Sequence, residues 1–315
     1  MAAVSHQIHI DKPLSEFAIG YRPEGFIADM LFPVVNVQKQ SDLYVTFSRA
    51  DALRRQDTKR APGTEAKLVT RNVSSNTYFA SNYALKAGVT IEDKSNADPI
   101  FYQSLVEGRA EFVLDHLLLD WEIRVANMVT SGSNVGSSAA VSSAWNGAGN
   151  PLGNINTAID NVHFSNGVRP NRIAFGIEAW NSFRRDTTVR DLIFGVNNGG
   201  GYPNTQQVAQ LLNVDEVYVA GAFRNTADEG VTETLASVWR DNVLVYYAPK
   251  APTIERPSFG YSIRWAAPGL PNMQVERLPY DPRKKTEEVE VGYYQSEVIT
   301  GSSYGFLLKS VNSST

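Results

Sequence analysis

The sequence predicts an α+β fold built around one very long helix, and three observations predict it. Residues 98 to 132, DPIFYQSLVEGRAEFVLDHLLLDWEIRVANMVTSG, read as a single uninterrupted helix. Residues 43 to 89 and 256 to 315 hold β-branched and aromatic runs parted by turn residues, while residues 151 to 255 alternate helical and strand patterns. Strands and helices grouped in this way belong to a mixed architecture.

Residues 1–42, apolar but interrupted by Pro13, Pro23 and Pro33, predict an extended arm with a short helix from Gly25 to Leu31. Its Phe26, Leu31, Phe32 and Val34 must be buried, either on the chain's own core or on a neighbour. Residues 43–90 predict a long two-stranded projection, LYVTF against NTYFASNYALKAGVTI, turning at Pro62-Gly63. Between Arg49 and Arg71 lie seven basic residues (Arg49, Arg54, Arg55, Lys59, Arg60, Lys67, Arg71) against three acids. Such a ribbon is marginal alone in water and calls for a surface to lie on.

For the helix, Asp98 is the expected N-cap, Pro99 fits the first helical position and Gly132 follows the last periodic residue. Val106, Ala110, Val113, Leu114, Leu117, Leu118, Trp121, Val125 and Met128 recur at steps of three and four, forming one apolar stripe. At 1.5 Å per residue the rod is about 48 Å long, more than a small domain needs. Charged residues, Glu107, Arg109, Glu111, Asp115, Asp120, Glu122 and Arg124, are expected on the other faces, which excludes a membrane span. The stripe keeps no strict heptad, so a helix lying on a sheet is expected rather than a coiled coil. Six acids against two arginines give the helix the opposite sign to the projection. The plainer reading of the charge is an ordinary mixed polar loop, since an exposed pair contributes only about 0 to 1 kcal/mol.

The stretch SGSNVGSSAAVSSAWNGAGN predicts a flexible connection. Beyond it come a helix opened by Asn150-Pro151, the strand RIAFG, the helix IEAWNSFRR, a loop VNNGGGYPN, the helix TQQVAQLL, the strand EVYVA and a strand pair in SVWRDNVLVYYAP. The last third, FGYSIRWA, MQVERLP, EEVEVGYYQSEVI and YGFLLKSV, predicts a terminal β layer.

With 315 residues, 43% of them hydrophobic, the chain can bury a substantial core. A net charge of -4 does not suit a nucleic-acid binder, and the absence of cysteine removes disulfides, thiol nucleophiles and cysteine-rich zinc sites. The N-terminus shows no secretory signal, which implies synthesis in a cytoplasm. No catalytic set emerges. His6 and His9 lack a third metal ligand nearby, and His116 lies inside the long helix. GSNVG places its serine wrongly for a nucleophile elbow, and NNGGGYP, with Gly199, Gly200 and Gly201, lacks the lysine of a phosphate loop. No metal and no cofactor are expected.

The order of parts then becomes informative: arm, basic hairpin, outsized acidic helix, mixed subdomain, β layer. With FIADMLFPVVNVQKQSDLY, RPNRIAFGIEAWNSFRR, VAQLLNVDEVYVAGAF and VEVGYYQSEVITGSSYGFLLKSV in that order, the chain resembles the tailed-phage major capsid proteins of the Hong Kong ninety-seven fold. The resemblance implies an N-arm (1–42), an extended loop (43–90), a first peripheral part (91–150) with the spine helix at 98–131, an axial domain (151–255) and a second peripheral part (256–315). It further implies a non-enzymatic subunit that assembles, in a host cytoplasm, into homo-hexamers and homo-pentamers of an icosahedral virion shell. That shell would enclose DNA without sequence-specific binding and without a membrane. The implied partners are a portal protein and a scaffolding protein, the latter expected as a separate product because the arm begins close to Met1; a decoration protein is allowed for. Subunit contacts are expected at Arg49, Arg54, Arg55, Lys59, Arg60, Lys67 and Arg71 on the loop, at Glu107, Glu111 and Asp115 on the helix, and at Gly199, Gly200 and Gly201 near the axial tip. The lysine-asparagine crosslink of some members has no match here. Two alternatives remain at this point: an encapsulin shell with enzyme cargo, which shares the fold, and an ordinary enzyme of mixed fold.

Overall fold

Asp11 opens the first helix, earlier than the proline pattern suggests. In the computed structural model, which describes residues 9–47, 55, 58–66, 68, 73–96, 102–196, 201–250, 258–266 and 271–312, the Asp11 carboxylate accepts the Leu14 amide at 3.2 Å. Helix α1 (Lys12–Gly20) follows, with Pro13 in the first turn, where its missing N–H breaks no bond. A second helix, α2 (Ala28–Leu31), comes after Gly25, whose φ of +82° and close approach to the Gly221 backbone need the absent side chain. The expected extended arm is thus two helices folded back on the chain's own core, where Leu14, Ala18, Ile27, Ala28, Leu31 and Phe32 are buried.

A fourteen-residue strand, β14 (Thr286–Ile299), organises the first sheet. One edge pairs with β5 (Ser81–Thr90); the other pairs with β13 (Gln274–Asp281) along its first half and β12 (Gly260–Trp265) along its second. Strand β1 (His9–Ile10) extends β13, and β2 (Val34–Val37) runs parallel to β12. The second strand expected in the projection is therefore two strands. Only β4 (Val73–Phe79) pairs with β3 (Ser41–Phe47), the break falls at fully buried Ala80, and β5 crosses into the first sheet. Tyr44 and Tyr78 anchor the base of the ribbon on Tyr261, Ile263 and Val298.

After α3 (Ile91–Asn96), the helix α4 (Tyr102–Thr130) packs over β5 and β14. Its 29 residues span about 43 Å; the expected start at Asp98-Pro99 lies outside the described residues. The stripe is buried as its spacing requires: Val106, Ala110, Val113, Leu114, Leu117, Leu118, Trp121 and Val125 are each no more than 5% exposed. Each valine or leucine buried this way contributes about 1.5 to 3 kcal/mol relative to exposure.

The second sheet runs in the order β6 (Ser137–Ala140), β15 (Gly305–Lys309), β11 (Val243–Tyr246), β7 (Arg172–Gly176), β8 (Glu216–Ala220). Helices α5 (Pro151–Asn166), α6 (Ile177–Arg185), α7 (Thr187–Phe194) and α8 (Thr205–Leu212) complete this half. Alternate residues serve two cores. Ile173, Phe175, Val243, Val245, Phe306 and Leu308 join one with the helices, whereas Ala174, Leu244, Tyr246 and Leu307 join the other beneath α4. Burial on both faces explains why VLVY and GFLL are continuously apolar. It also places β15 in this central position rather than in the expected terminal layer. The expected linker is likewise structured: β6 pairs with β15, Val135 and Trp145 are buried, and Gly136 lies against the Ser303 backbone, where a side chain would collide. The strand pair read in SVWRDNVLVYYAP is instead β10 (Leu235–Ser237), which pairs with β9 (Phe223–Asn225), and β11, which pairs elsewhere.

Candidate assembly surfaces

One carboxylate joins three parts of the molecule. Glu122, expected on an exposed face of α4, is fully buried. It accepts the Ile27 and Ala28 amides at 3.0 and 2.8 Å, capping α2, and the Trp239 indole N–H at 2.6 Å. Burial pushes its carboxyl up to about 7, while the three donors pull it down and the nearby Asp29 charge adds to the rise. The signal for this was in the spacing: Glu122 stands four residues after Leu118 and three before Val125, inside the apolar stripe.

A second polar group fixes α4 on the first sheet. Arg124 bonds Asp120, donates to Tyr293 Oη at 3.2 Å and Glu297 at 3.1 Å, and stacks 3.7 Å over the Tyr83 ring. Arg264, 7% exposed, is sandwiched between Trp121 and Tyr293 at 5.3 and 5.0 Å, with its Nε donating to Gln295 Oε1 at 2.9 Å. Gln295 in turn donates to Glu297 at 2.8 Å, so the two arginines share one chain of bonds. Burial pulls the Arg264 guanidinium down to about 10, which leaves it charged at neutral pH. No sequence pattern pointed to Arg264, because its partners lie 143 positions earlier and 29 and 31 positions later.

The expected contact residues divide. Arg55, Lys59 and Arg60 are exposed beside the turn at Ala61 to Thr64, where Gly63 has a φ of +81°. Arg49, Arg54, Lys67, Arg71, Gly199 and Gly200 lie outside the described residues, and Gly201 is exposed. Glu107 and Glu111 are exposed and line a cavity of about 560 Å³ between α1 and α4, with Asp11, Pro13, Leu14, Phe17 and Arg277. Asp115 is used internally: it accepts the Tyr21 hydroxyl at 2.8 Å, and burial together with this bond pushes the tyrosine up to about 12. Asp115 is therefore half-buried, a tie between arm and helix, where an outward contact was expected.

Among the described residues no group of three or more His, Cys, Asp or Glu could hold a metal ion, and no helix is long and apolar enough to cross a membrane. His116 stands edge-on to Phe112 at 4.6 Å. The cleft of about 410 Å³ between α8 and β8 has Gln206, Asp215, Glu216 and Tyr218 on its walls, and there the Tyr218 hydroxyl donates to the Glu216 carboxylate.

No family model matches the chain. It is 27% identical over 310 residues to the major capsid protein of Pseudomonas phage JBD67, covering 95% of this chain and 96% of that one. It is 21% identical over 315 residues to the major capsid protein of Burkholderia phage BcepMu, covering 96% and 97%. Among solved structures, a phage-related protein from Bordetella bronchiseptica superposes with a TM-score of 0.75 at 23% identity, over 98% of this chain and 99% of that one. The capsid of Cyanophage P-SCSP1u gives 0.57 at 11% identity, over 98% and 92%.

Proposed function

We propose that this chain, which has the Hong Kong ninety-seven fold of phage capsid subunits, is a phage major capsid protein that builds a closed shell from overlapping copies of itself. Full-length similarity to two phage major capsid proteins supports the reading. The structural observation that carries it is the ribbon β3–β4, a two-stranded sheet separate from both larger sheets, with a basic exposed tip. A projection of this kind gains its stability from a neighbour's surface. The reading makes the subunit structural rather than catalytic. A cellular compartment shell with enzyme cargo is not favoured, because both curated relatives are phage capsid proteins.

In finer terms, residues 1–42 serve as the N-arm, 43–90 as the extended loop, and α4 as the spine. Residues 151–255 form the axial domain around whose tips hexamers and pentamers close. The loop carrying Arg49, Arg54, Arg55, Lys59, Arg60, Lys67 and Arg71 reaches an adjacent subunit, and Gly199 to Gly201 lie near the capsomer axis. A separate scaffold and a portal protein take part in assembly in the host cytoplasm, and the virion shell holds DNA without reading its sequence. The purified protein, alone or with its scaffold, should form shells or capsomer-sized rings in electron micrographs and sedimentation. Monomers under all conditions would refute the proposal. Reversing Arg54, Arg55 and Arg60 to glutamate should abolish assembly while leaving the far-ultraviolet circular dichroism of the subunit unchanged; wild-type particle yield would remove the role given to the loop.

A further inference from the structure

We infer that Arg184, Arg190 and Tyr202 form a binding site for consecutive phosphate groups, as carried by a nucleic-acid strand or by a free polyphosphate. The site belongs to the helical half around the second sheet, and the inference does not depend on the shell reading.

Three elements position the side chains. Arg184 stands in the last turn of α6, Arg190 on α7, and Tyr202 shortly before α8. The Arg184 guanidinium lies 5.4 Å from the centre of the Tyr202 ring and the Arg190 guanidinium 5.6 Å from it. Each side chain leaves an anchored backbone. Phe183 and Val189, next to the two arginines, are buried in the core shared with the helices, and Pro203, next to the tyrosine, is buried as well. The Asn204 side chain accepts the Gln207 amide at 2.8 Å while the Gln207 side chain accepts the Asn204 amide at 3.0 Å, which fixes the start of α8 two residues beyond the ring.

The electrostatics of this group call for an anion. Two guanidiniums held against one ring are like charges and repel each other, and the face of the ring attracts each of them only modestly. Exposed Arg185 adds a third positive charge at the same helix end. The carboxylate between them in sequence, Asp186, is engaged as the cap of α7, where it accepts the Val189 amide at 3.0 Å. Arg184 Nε is buried and meets no hydrogen-bond partner among the described residues. The Tyr202 ring is 58% exposed, so the group is open to solvent. Phosphate oxygens match the planar fork of a guanidinium, and phosphates in succession present negative charge at more than one point, as two separate arginines require. The net charge of -4 belongs to the whole chain and does not set the potential at this one cluster.

The purified full-length chain is titrated calorimetrically with inorganic tripolyphosphate and, separately, with a short oligothymidylate. Saturable binding of at least one probe is expected, weakened by salt and weakened at least tenfold in R184Q/R190Q. Tighter binding of the oligothymidylate assigns the site to nucleic acid, and tighter binding of tripolyphosphate assigns it to free polyphosphate. The control K39Q/K250Q removes two exposed lysines elsewhere and should keep the affinity within about twofold. A second measurement leaves the chain unaltered: phenylglyoxal modification, read by mass spectrometry, should slow at least fivefold at Arg184 and Arg190 when the tighter probe is present, and stay unchanged at Arg109 on α4. No binding of either probe, a loss in R184Q/R190Q no greater than in the lysine control, or no protection of the two arginines would overturn the site and leave the shell reading untouched.

Discussion

Replacing Glu122 by glutamine isolates a charge that the fold holds at a cost. The carboxyl is raised from an ordinary 4.5 to about 7, chiefly by burial. For a group whose folded value is raised, the contribution to stability is complete below pH 4.5 and is lost as pH rises through about 7. The gap between those values corresponds to about 3 kcal/mol. Glutamine cannot ionise. Its amide group must face one of the three N–H donors, which imposes a pH-independent cost of about 1 to 3 kcal/mol. Relative to wild type, the variant should therefore gain about 3 kcal/mol between pH 4.5 and pH 8, whatever its offset. Urea unfolding of unassembled subunits, followed by tryptophan fluorescence and far-ultraviolet circular dichroism, measures the difference at each pH. Because other titrating groups are common to both proteins, the difference reports Glu122 alone, provided its neighbours are undisturbed. A difference that stays constant within about 0.5 kcal/mol would mean that the carboxylate is hydrated, and the joint between α4, α2 and Trp239 would be refuted.

Two other substitutions probe the packing that holds α4 and the arm in place. Arg264→Lys removes the planar group between Trp121 and Tyr293 and its bonds to Gln295, and should destabilise the subunit by about 2 to 3 kcal/mol in denaturant unfolding; wild-type stability would show that stacking is immaterial there. Gly260→Ala places a methyl group where the Phe32 ring lies, beneath its stack with Phe259, and should cost about 1 to 3 kcal/mol with faster proteolysis of residues 20–35; unchanged digestion would show that the ring moves freely aside.

Tyr21 to Asp115, the α2 amides to Glu122 and the Leu14 side chain in the core all hold the N-terminal segment on α4. Loosening the segment should therefore lower subunit stability.

What the sequence determined by itself was the set of local periodicities. The apolar stripe from Val106 to Val125 specified a helix and its buried face, because steps of three and four residues allow no other regular structure. Asn150-Pro151, the α5 start, and the strands RIAFG and EVYVA were legible for the same local reason. The basic tip was legible as composition. Tertiary structure decided partnership. Alternation alone cannot say which strand lies beside which; it leaves β5 in the ribbon and β15 in the terminal layer, whereas β5 pairs with β14 and β15 with β11. Glycine and serine spacing cannot distinguish a mobile connection from a backbone pressed against Ser303. Nor could the carboxylate in the stripe be recognised as buried until Trp239, 117 positions away, and the amides of α2 were seen to meet it. Burying a charge is acceptable only when donors converge on it, and that convergence belongs to the fold, not to any segment of the chain.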